Sequence, residues 1–288
     1  MKDIKYNKYK PWIYPTSIIL LIITIIPTIF LFAISLFDYK LGTPLKSAKF
    51  IGISNYITTF ASSSFWHSIL ITAKYMLLSV GIEMILGFML AFFLYNRKKW
   101  LRNLLIIFMV IPMSVAPSIA GLMWRLNFHP IYGIVNQLLY YFNLGPDWYS
   151  YDMALFSVII IDIWQWTPFV TLISLAGLLS IDTSVLESAR IDGADGFKMI
   201  KNIIIPIIKP VLLVALIMRS MDSLKMFDVP FSLTEGGPGD ATELLSMYIY
   251  RKGFFHTGSV GAASAVAEIM LVIIIFMTKL FAINLQKQ

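Results

Sequence analysis

The sequence has no cysteine and little charge. Zero Cys among 288 residues excludes a disulfide scaffold, a thiolate zinc site, an iron–sulfur cluster and a cysteine nucleophile. Only 14% of the residues are charged, against about 25% in a soluble domain, which excludes a water-soluble globule. A disordered chain is excluded too, because disorder needs low hydrophobicity and here the mean hydropathy is +0.76. The three histidines, His67, His129 and His256, are too widely spaced for a metal-ligand pattern. No Gly-x-x-x-x-Gly-Lys-Ser/Thr occurs, so the chain has no P-loop for ATP. No nucleophile–base pair points to catalysis. The expectation is a chain without catalytic or metal-binding residues.

Long apolar runs are what the sequence has in abundance. A spanning helix needs about 20 mainly apolar residues. Six such spans are expected, at roughly 14–37, 69–95, 103–125, 153–178, 207–228 and 259–283. The first run is too long for a cleaved signal peptide and no small-residue cleavage site follows it. The expected fold is an all-α integral membrane protein, with residues 1–288 forming a single transmembrane domain. Net charge is +7, but its placement matters more than its sum. Lys2, Lys5, Lys8 and Lys10, then Arg97, Lys98, Lys99 and Arg102, then Arg190, Lys198, Lys201 and Lys209, and finally Lys279 and Lys287 fall on one side. Lys40, Lys46, Lys49, Arg251 and Lys252 fall on the other. Both termini are therefore expected in the cytoplasm. This topology accounts for the basic clusters without nucleic acid.

Segment 179–206, between spans four and five, carries the strongest local signal. Ser184 followed by Glu187 is a capping-box pattern, which predicts a short helix starting there. Gly193 suits a left-handed helix end, and Asp195 can cap a second helix. On that helix Phe197, Ile200 and Ile203/Ile204 fall at helical spacing on one apolar face. Pro206 marks a break or kink where the chain re-enters the bilayer. An amphipathic helix lying on the membrane surface is the plainer reading.

The spacing adds to that reading. Glu187, Ala189, Gly193, Ile203 and Pro206 fit Glu-Ala-Ala, three residues, Gly, nine residues, Ile, one residue, Leu-Pro. This resembles the EAA loop motif of the membrane subunits of binding-protein-dependent ABC importers. Two positions depart from it: Ser188 replaces a small residue and Ile205 replaces Leu. The resemblance implies a coupling helix that inserts in a cleft on an ATP-binding subunit. Glu187 would anchor on a basic partner residue. Ser188, Ala189, Gly193 and Ala194 would allow close approach, with Asp192 beside them. Phe197 would be a buried aromatic anchor.

The far end of span five carries a second signal. Asp222, Lys225 and Asp228 are spaced three apart, so both carboxylates can reach the one ammonium. Arg219 lies nearer the midplane, where a charge is costly and faces a cavity or a partner. Gly236-Gly237-Pro238 is a turn signal. Leu224-Lys-Met-Phe-Asp228, then Leu233-Thr234-Glu-Gly-Gly-Pro238, resembles one of the paired permease subunits of carbohydrate importers, of the maltose, oligosaccharide and glycerol-phosphate type. The segments Phe50-Ile-Gly-Ile-Ser-Asn55-Tyr56 and Gly133-Ile-Val-Asn136 fit the same branch. The resemblance implies alternating access through a bacterial cytoplasmic membrane. It implies a second six-span permease, two ATP-binding cassette subunits that hold ATP and Mg, and an extracytoplasmic binding protein docking near Thr234, Gly236, Gly237 and Pro238. For the sugar path it points to Trp164, Gln165, Arg219, Asp222, Ser223, Lys225, Met226, Asp228 and Val229, with Ser220 a further possibility. A stand-alone secondary transporter using Asp162 or Asp222 as an ion site is the alternative. Six spans and no inverted repeat stand against it. An intramembrane enzyme would need clustered histidines or paired carboxylates, and the sequence shows neither.

Overall fold

The computed structural model describes residues 3–255 and 258–286; Lys2, His256 and Lys287 lie outside them. The elements run α1 (Asp3–Ser35), β1 (Phe37–Asp38), β2 (Lys49–Phe50), α2 (Ser54–Phe60), α3 (Ser63–Tyr95), α4 (Lys99–Ser114), α5 (Pro117–Asn127) and α6 (Ile134–Tyr140). They continue with α7 (Ala154–Leu179), α8 (Thr183–Ile191), α9 (Gly196–Met199), α10 (Ile205–Leu224), α11 (Asp228–Thr234), α12 (Leu245–Tyr250) and α13 (Val260–Gln286). A π turn, Ile200–Ile204, joins α9 to α10 without a break in the helix.

Five stretches are long and apolar enough to cross a bilayer: Ile13–Ser35, Ser63–Tyr95, Ala154–Leu179, Gly196–Leu224 and Val260–Ile283. They match five expected spans, with one displacement. The fifth starts at Gly196 and stops at Leu224, so Lys225 and Asp228 lie beyond the helix instead of inside it.

The third expected span, 103–125, is not one helix. It is α4 and α5, bent by 94°. Proline disfavours helical geometry in the residue before it. Ala116, before Pro117, is extended at φ −60° and ψ 136°, and Val115 is extended as well. A break at membrane depth must have its freed backbone groups satisfied by protein. Gln165 of α7 donates from Nε2 to the Val115 carbonyl at 2.6 Å.

The chain divides into two compact units. The first comprises residues 1–65 and 248–272. Within its α1, the stretch Ile13–Ser35 is almost wholly uncovered, with 6% of its apolar window buried, as suits a helix facing lipid or another chain. β1 pairs antiparallel with β2, Phe37 opposite Phe50 and Asp38 opposite Lys49. Asn55 is buried and donates from Nδ2 to the carbonyls of Ser35 at 2.7 Å and Phe37 at 3.0 Å. It thus caps the end of α1.

The second unit comprises residues 66–247 and 273–288. Here α7 is central, with 61% of its window buried, and it packs against α4, α5, α10 and α11. One apolar core gathers Ile71, Tyr75, Phe128, Trp148, Val158 and Val229. Another gathers Ala91, Leu94, Leu175, Leu178, Leu186 and Ile208. Asn136 is again a buried clamp: it donates to the Phe128 carbonyl at 3.1 Å and accepts from Trp148 Nε1 at 2.6 Å.

α3 and α7 meet at Gly87. A Cβ there would lie 2.6 Å from Val170 Cγ1 and 3.1 Å from the Thr171 backbone nitrogen. Gly87→Ala is therefore expected to lower the thermal midpoint of the detergent-solubilised chain, at a cost of about 1–3 kcal/mol. Gly81→Ala, whose Cβ meets nothing within 4 Å, should leave that midpoint unchanged or raise it, because Ala is the better helix former. Melting curves followed by size-exclusion chromatography check both.

Candidate functional site

Segment 179–206 folds back on the end of the helix bundle. The expected cap at Ser184 is displaced. Asp182 is the N-cap of α8, and its side chain accepts from the Ser184 amide at 2.9 Å. Ser184 and Glu187 therefore lie inside the first turns of the helix. At the other end the Gly193 amide donates to the Arg190 carbonyl at 3.0 Å, and the Ala194 amide to the Ala189 carbonyl at 2.9 Å. This is the Schellman pattern, and it requires the left-handed Gly193, at φ +81°. Asp195 stands at the N-cap of α9, but its carbonyl, not its side chain, takes the Lys198 and Met199 amides.

This segment has two faces. Leu186, Ala189, Met199 and Ile204 are buried against Ala91 and Leu94 of α3 and Leu175 and Leu178 of α7. Glu187, Ser188, Asp192 and Gly193 face outward. Ile191 and Phe197 do so as well, 87% and 75% exposed. Ser184, Val185, Ser188, Ala189, Asp192 and Ala194 line a shallow cavity of about 390 Å³, with Ile203 at its edge. Of the expected apolar face, Ile200, Ile203 and Ile204 pack on the core of Leu94 and Leu175 and Phe197 does not. Phe197 points away from the bundle, while Met199 and Ile204 point in. Phe197 lies in the first turn of α9, next to the left-handed Gly196 at φ +44°. Pro206 is exposed in the first turn of α10, and the break expected there does not form, because the helix runs on through the π turn.

At the other end of α10 the residues expected on the sugar path separate into two groups. Trp164 packs in the apolar core, edge-on to Trp124 at 5.5 Å between ring centroids. Gln165 is buried and satisfies the broken span. Met226 and Val229 belong to the core, and Ser220 and Ser223 are buried. Arg219 has no exposed surface. Only Asp222, Lys225 and Asp228 remain uncovered. Lys225 pairs with Asp222 at 3.4 Å. No ion pair between Lys225 and Asp228 forms among the described residues, because α10 has already ended at Leu224.

Arg219 is held by two carboxylates. Its Nε donates to Glu83 Oε2 at 2.6 Å, and its Nη2 to Glu83 Oε1 at 2.9 Å and to Asp162 Oδ2 at 3.0 Å. The Trp166 ring lies 4.9 Å from the guanidinium carbon. The expectation of no paired carboxylates is thus corrected. Glu83 and Arg219 are 136 residues apart in sequence, so spacing could not bring them together. A lone glutamate inside an apolar span was nonetheless a readable signal.

The loop expected to meet a binding protein is well ordered by its own contacts. Thr234 Oγ1 lies 2.7 Å from Thr242 Oγ1, and Thr242 Oγ1 donates to the Gly237 carbonyl at 3.1 Å. The Thr242 amide donates to the Gly236 carbonyl at 3.2 Å. Thr234, Gly237 and Pro238 line one wall of a cavity of about 810 Å³. The other wall, Arg125, His129 and Tyr149, was not singled out from sequence. The Tyr149 hydroxyl donates to the Arg125 carbonyl at 2.6 Å, and burial pushes its phenol pKa up from the usual value.

These features define an all-α multi-pass membrane protein in which α8 and α9 fold back on the end of the bundle. Residues 83–287 match the family model described as binding-protein-dependent transport system inner membrane component. The chain is 35% identical over 268 residues to the trehalose/maltose transport system permease protein MalF of Thermococcus litoralis, covering 92% of this chain and 89% of that one. It is 33% identical over 269 residues to the sulfoquinovosyl glycerol transport system permease protein SmoG of Agrobacterium fabrum, covering 93% and 86%. Its fold resembles a chain of a bacterial alginate ABC transporter solved in complex with an alginate pentasaccharide-bound periplasmic protein. There the TM-score is 0.80 at 24% identity, covering 97% of this chain and 94% of that one. The protein belongs to the binding-protein-dependent transport system inner membrane component family, whose members are non-catalytic transport components.

The Asp182 cap gives a prediction with a definite sign. The Ser184 amide holds the Asp182 carboxyl below its usual pKa. Its contribution to α8 is therefore complete above the ordinary Asp value of about 4 and is lost as pH falls through the lowered value. Amide exchange across 183–191, corrected for intrinsic rate, should speed up in that window. In Asp182→Ala it should already be fast at neutral pH.

Proposed function

We propose that this chain is a permease subunit of an ABC importer for a sugar or oligosaccharide, of the maltose, oligosaccharide and glycerol-phosphate type. It acts as a single transmembrane domain in a cytoplasmic (inner) membrane, with both termini in the cytoplasm. A second permease subunit forms the other wall of the path. Two ATP-binding cassette subunits hold ATP and Mg and close beneath the pair. An extracytoplasmic binding protein delivers the cargo at the loop of Thr234, Gly236, Gly237 and Pro238. The observation that carries this reading is the two-faced α8–α9 segment, anchored to its own bundle by one side and presenting Glu187, Asp192, Ile191 and Phe197 on the other.

In this reading α8 is the coupling helix. Glu187 pairs with a basic residue of the ATPase, and Ser188, Asp192 and Ala194 line the contact. Ala189 and Gly193 keep the corner tight, and Phe197 enters the partner's cleft. Ile203 and Pro206 lie where the movement passes into α10. Asp222, Lys225 and Asp228 are the polar groups that this chain offers to cargo. The carbohydrate assignment is supported by the two relatives, which are permeases for trehalose or maltose and for sulfoquinovosyl glycerol. A secondary transporter is less well supported, because Asp162 is taken up by Arg219.

The test is reconstitution with partner subunits in proteoliposomes. Glu187→Ala and Gly193→Ala should insert normally yet lose binding-protein-stimulated ATP hydrolysis and uptake by about tenfold or more. Gly193→Ala also places a side chain in a left-handed conformation, at a local cost of about 1–2 kcal/mol. Unchanged uptake in Glu187→Ala sinks the coupling assignment. Purification of the chain from its host without an ATPase or a second permease counts against the importer altogether.

A further inference from the structure

The Glu83–Arg219–Asp162 cluster does not balance as drawn. All three side chains are fully enclosed. With both carboxyls ionised, two negative charges face one positive charge. Arginine keeps its proton in proteins, so the excess cannot be removed from that side. A buried charge left unpaired is costly enough that the group neutralises instead.

The groups that face the cluster are few. From α3 come Glu83 and the buried Tyr75, from α7 Asp162, and from α10 Arg219. Lys74, next to Tyr75, is exposed. Lys225 is exposed and paired with Asp222. No second cation reaches the cluster among the described residues.

The two carboxyls are held differently. Glu83 accepts with both oxygens, the geometry of an ionised carboxylate on a guanidinium fork. Asp162 accepts with Oδ2 alone. Its Oδ1 is buried without a hydrogen-bond partner, and so is the Tyr75 hydroxyl.

We propose that this cluster is a resident proton site: Glu83 and Asp162 together hold one proton, with Asp162 Oδ1 the position free to carry it. The proton is taken from water as the chain assembles. It leaves a clasp of zero net charge joining α3, α7 and α10. It is not transported, because the site is closed on every side by this chain.

The experiment uses the full-length chain in its assembled complex, in lipid nanodiscs at neutral pH. Infrared spectra should contain a protonated-carboxyl C=O band that shifts in D2O and is lost in E83Q and D162N alike. E268Q, in α13, should keep the band. Each single amide variant still leaves one carboxylate for Arg219, so each should melt within about 3 °C of the parent. The double variant E83Q/D162N strands Arg219 and should melt about 10 °C lower or fail to assemble. The proposal is overturned if the parent lacks the band, or if neither single variant removes it. It is overturned equally if each single variant is as damaged as the double. A parent without the band whose stability depends on Na+ would show that a metal cation balances the charge instead.

Discussion

A guanidinium that cannot lose its charge sits with no solvent contact among three helices, bonded through Nε and Nη2 while its Nη1 is buried without a hydrogen-bond partner. Arg219 offers a fixed fork of donors. Two of them meet Glu83 on α3, and one is shared with Asp162 on α7. Removing both carboxyls from such a buried set costs about 3–5 kcal/mol, because the remaining guanidinium charge is left uncompensated. In a bilayer no water can take their place. The carboxylates can meet only if α3 and α7 approach closely. Gly87 lies one helical turn beyond Glu83, and a Cβ there would overlap Val170. The absent side chain and the ion cluster are therefore parts of one constraint.

The same three helices also grip the α8–α9 segment. Leu186, Ala189, Met199 and Ile204 rest on Ala91 and Leu94 of α3 and on Leu175 and Leu178 of α7. Through the π turn, α9 runs into α10 without a break. Arg219 lies 15 residues beyond Ile204, or about 22 Å along a helix. The segment is thus fixed to α3 and α7 twice, once by apolar packing and once by charge. In the proposed importer this makes the coupling segment and the three spans one stiff body. Closure of the ATPases would then tilt that body, not bend it.

Much of this was legible in the sequence, and the failures have physical causes. Spans are legible because lipid demands about 20 apolar residues without interruption. The break in the third was signalled by Pro117, yet the apolar run on both sides hid it. Gly193 announced its left-handed turn because few other residues take that conformation. Arg219 stood out as a charge inside a span. Its pairing with Glu83 and Asp162 did not, because contacts across helices have no spacing in sequence. Phe197 was grouped with Ile200 and Ile203/Ile204 by spacing, yet it alone turns outward beside the left-handed Gly196. Gln165 was assigned to a sugar path because an amide in a span suggests a ligand. Its actual partner is the backbone that Pro117 broke open.

The division of the expected path residues bears on how a cargo could be held. A site for a small molecule encloses about 70–90% of its ligand, mostly with apolar and aromatic surface and a few placed polar groups. Here the aromatic candidate Trp164 is committed to Trp124, and Met226 and Val229 to the core. Asp222, Lys225 and Asp228 remain, at the end of α10. Three exposed polar side chains at and just beyond a helix end can orient a ligand but cannot enclose it. In the proposed importer the second permease must therefore supply the opposing wall. Cargo specificity then belongs to the pair of subunits and to neither alone, so substituting Asp222, Lys225 or Asp228 in this chain changes only half of the site.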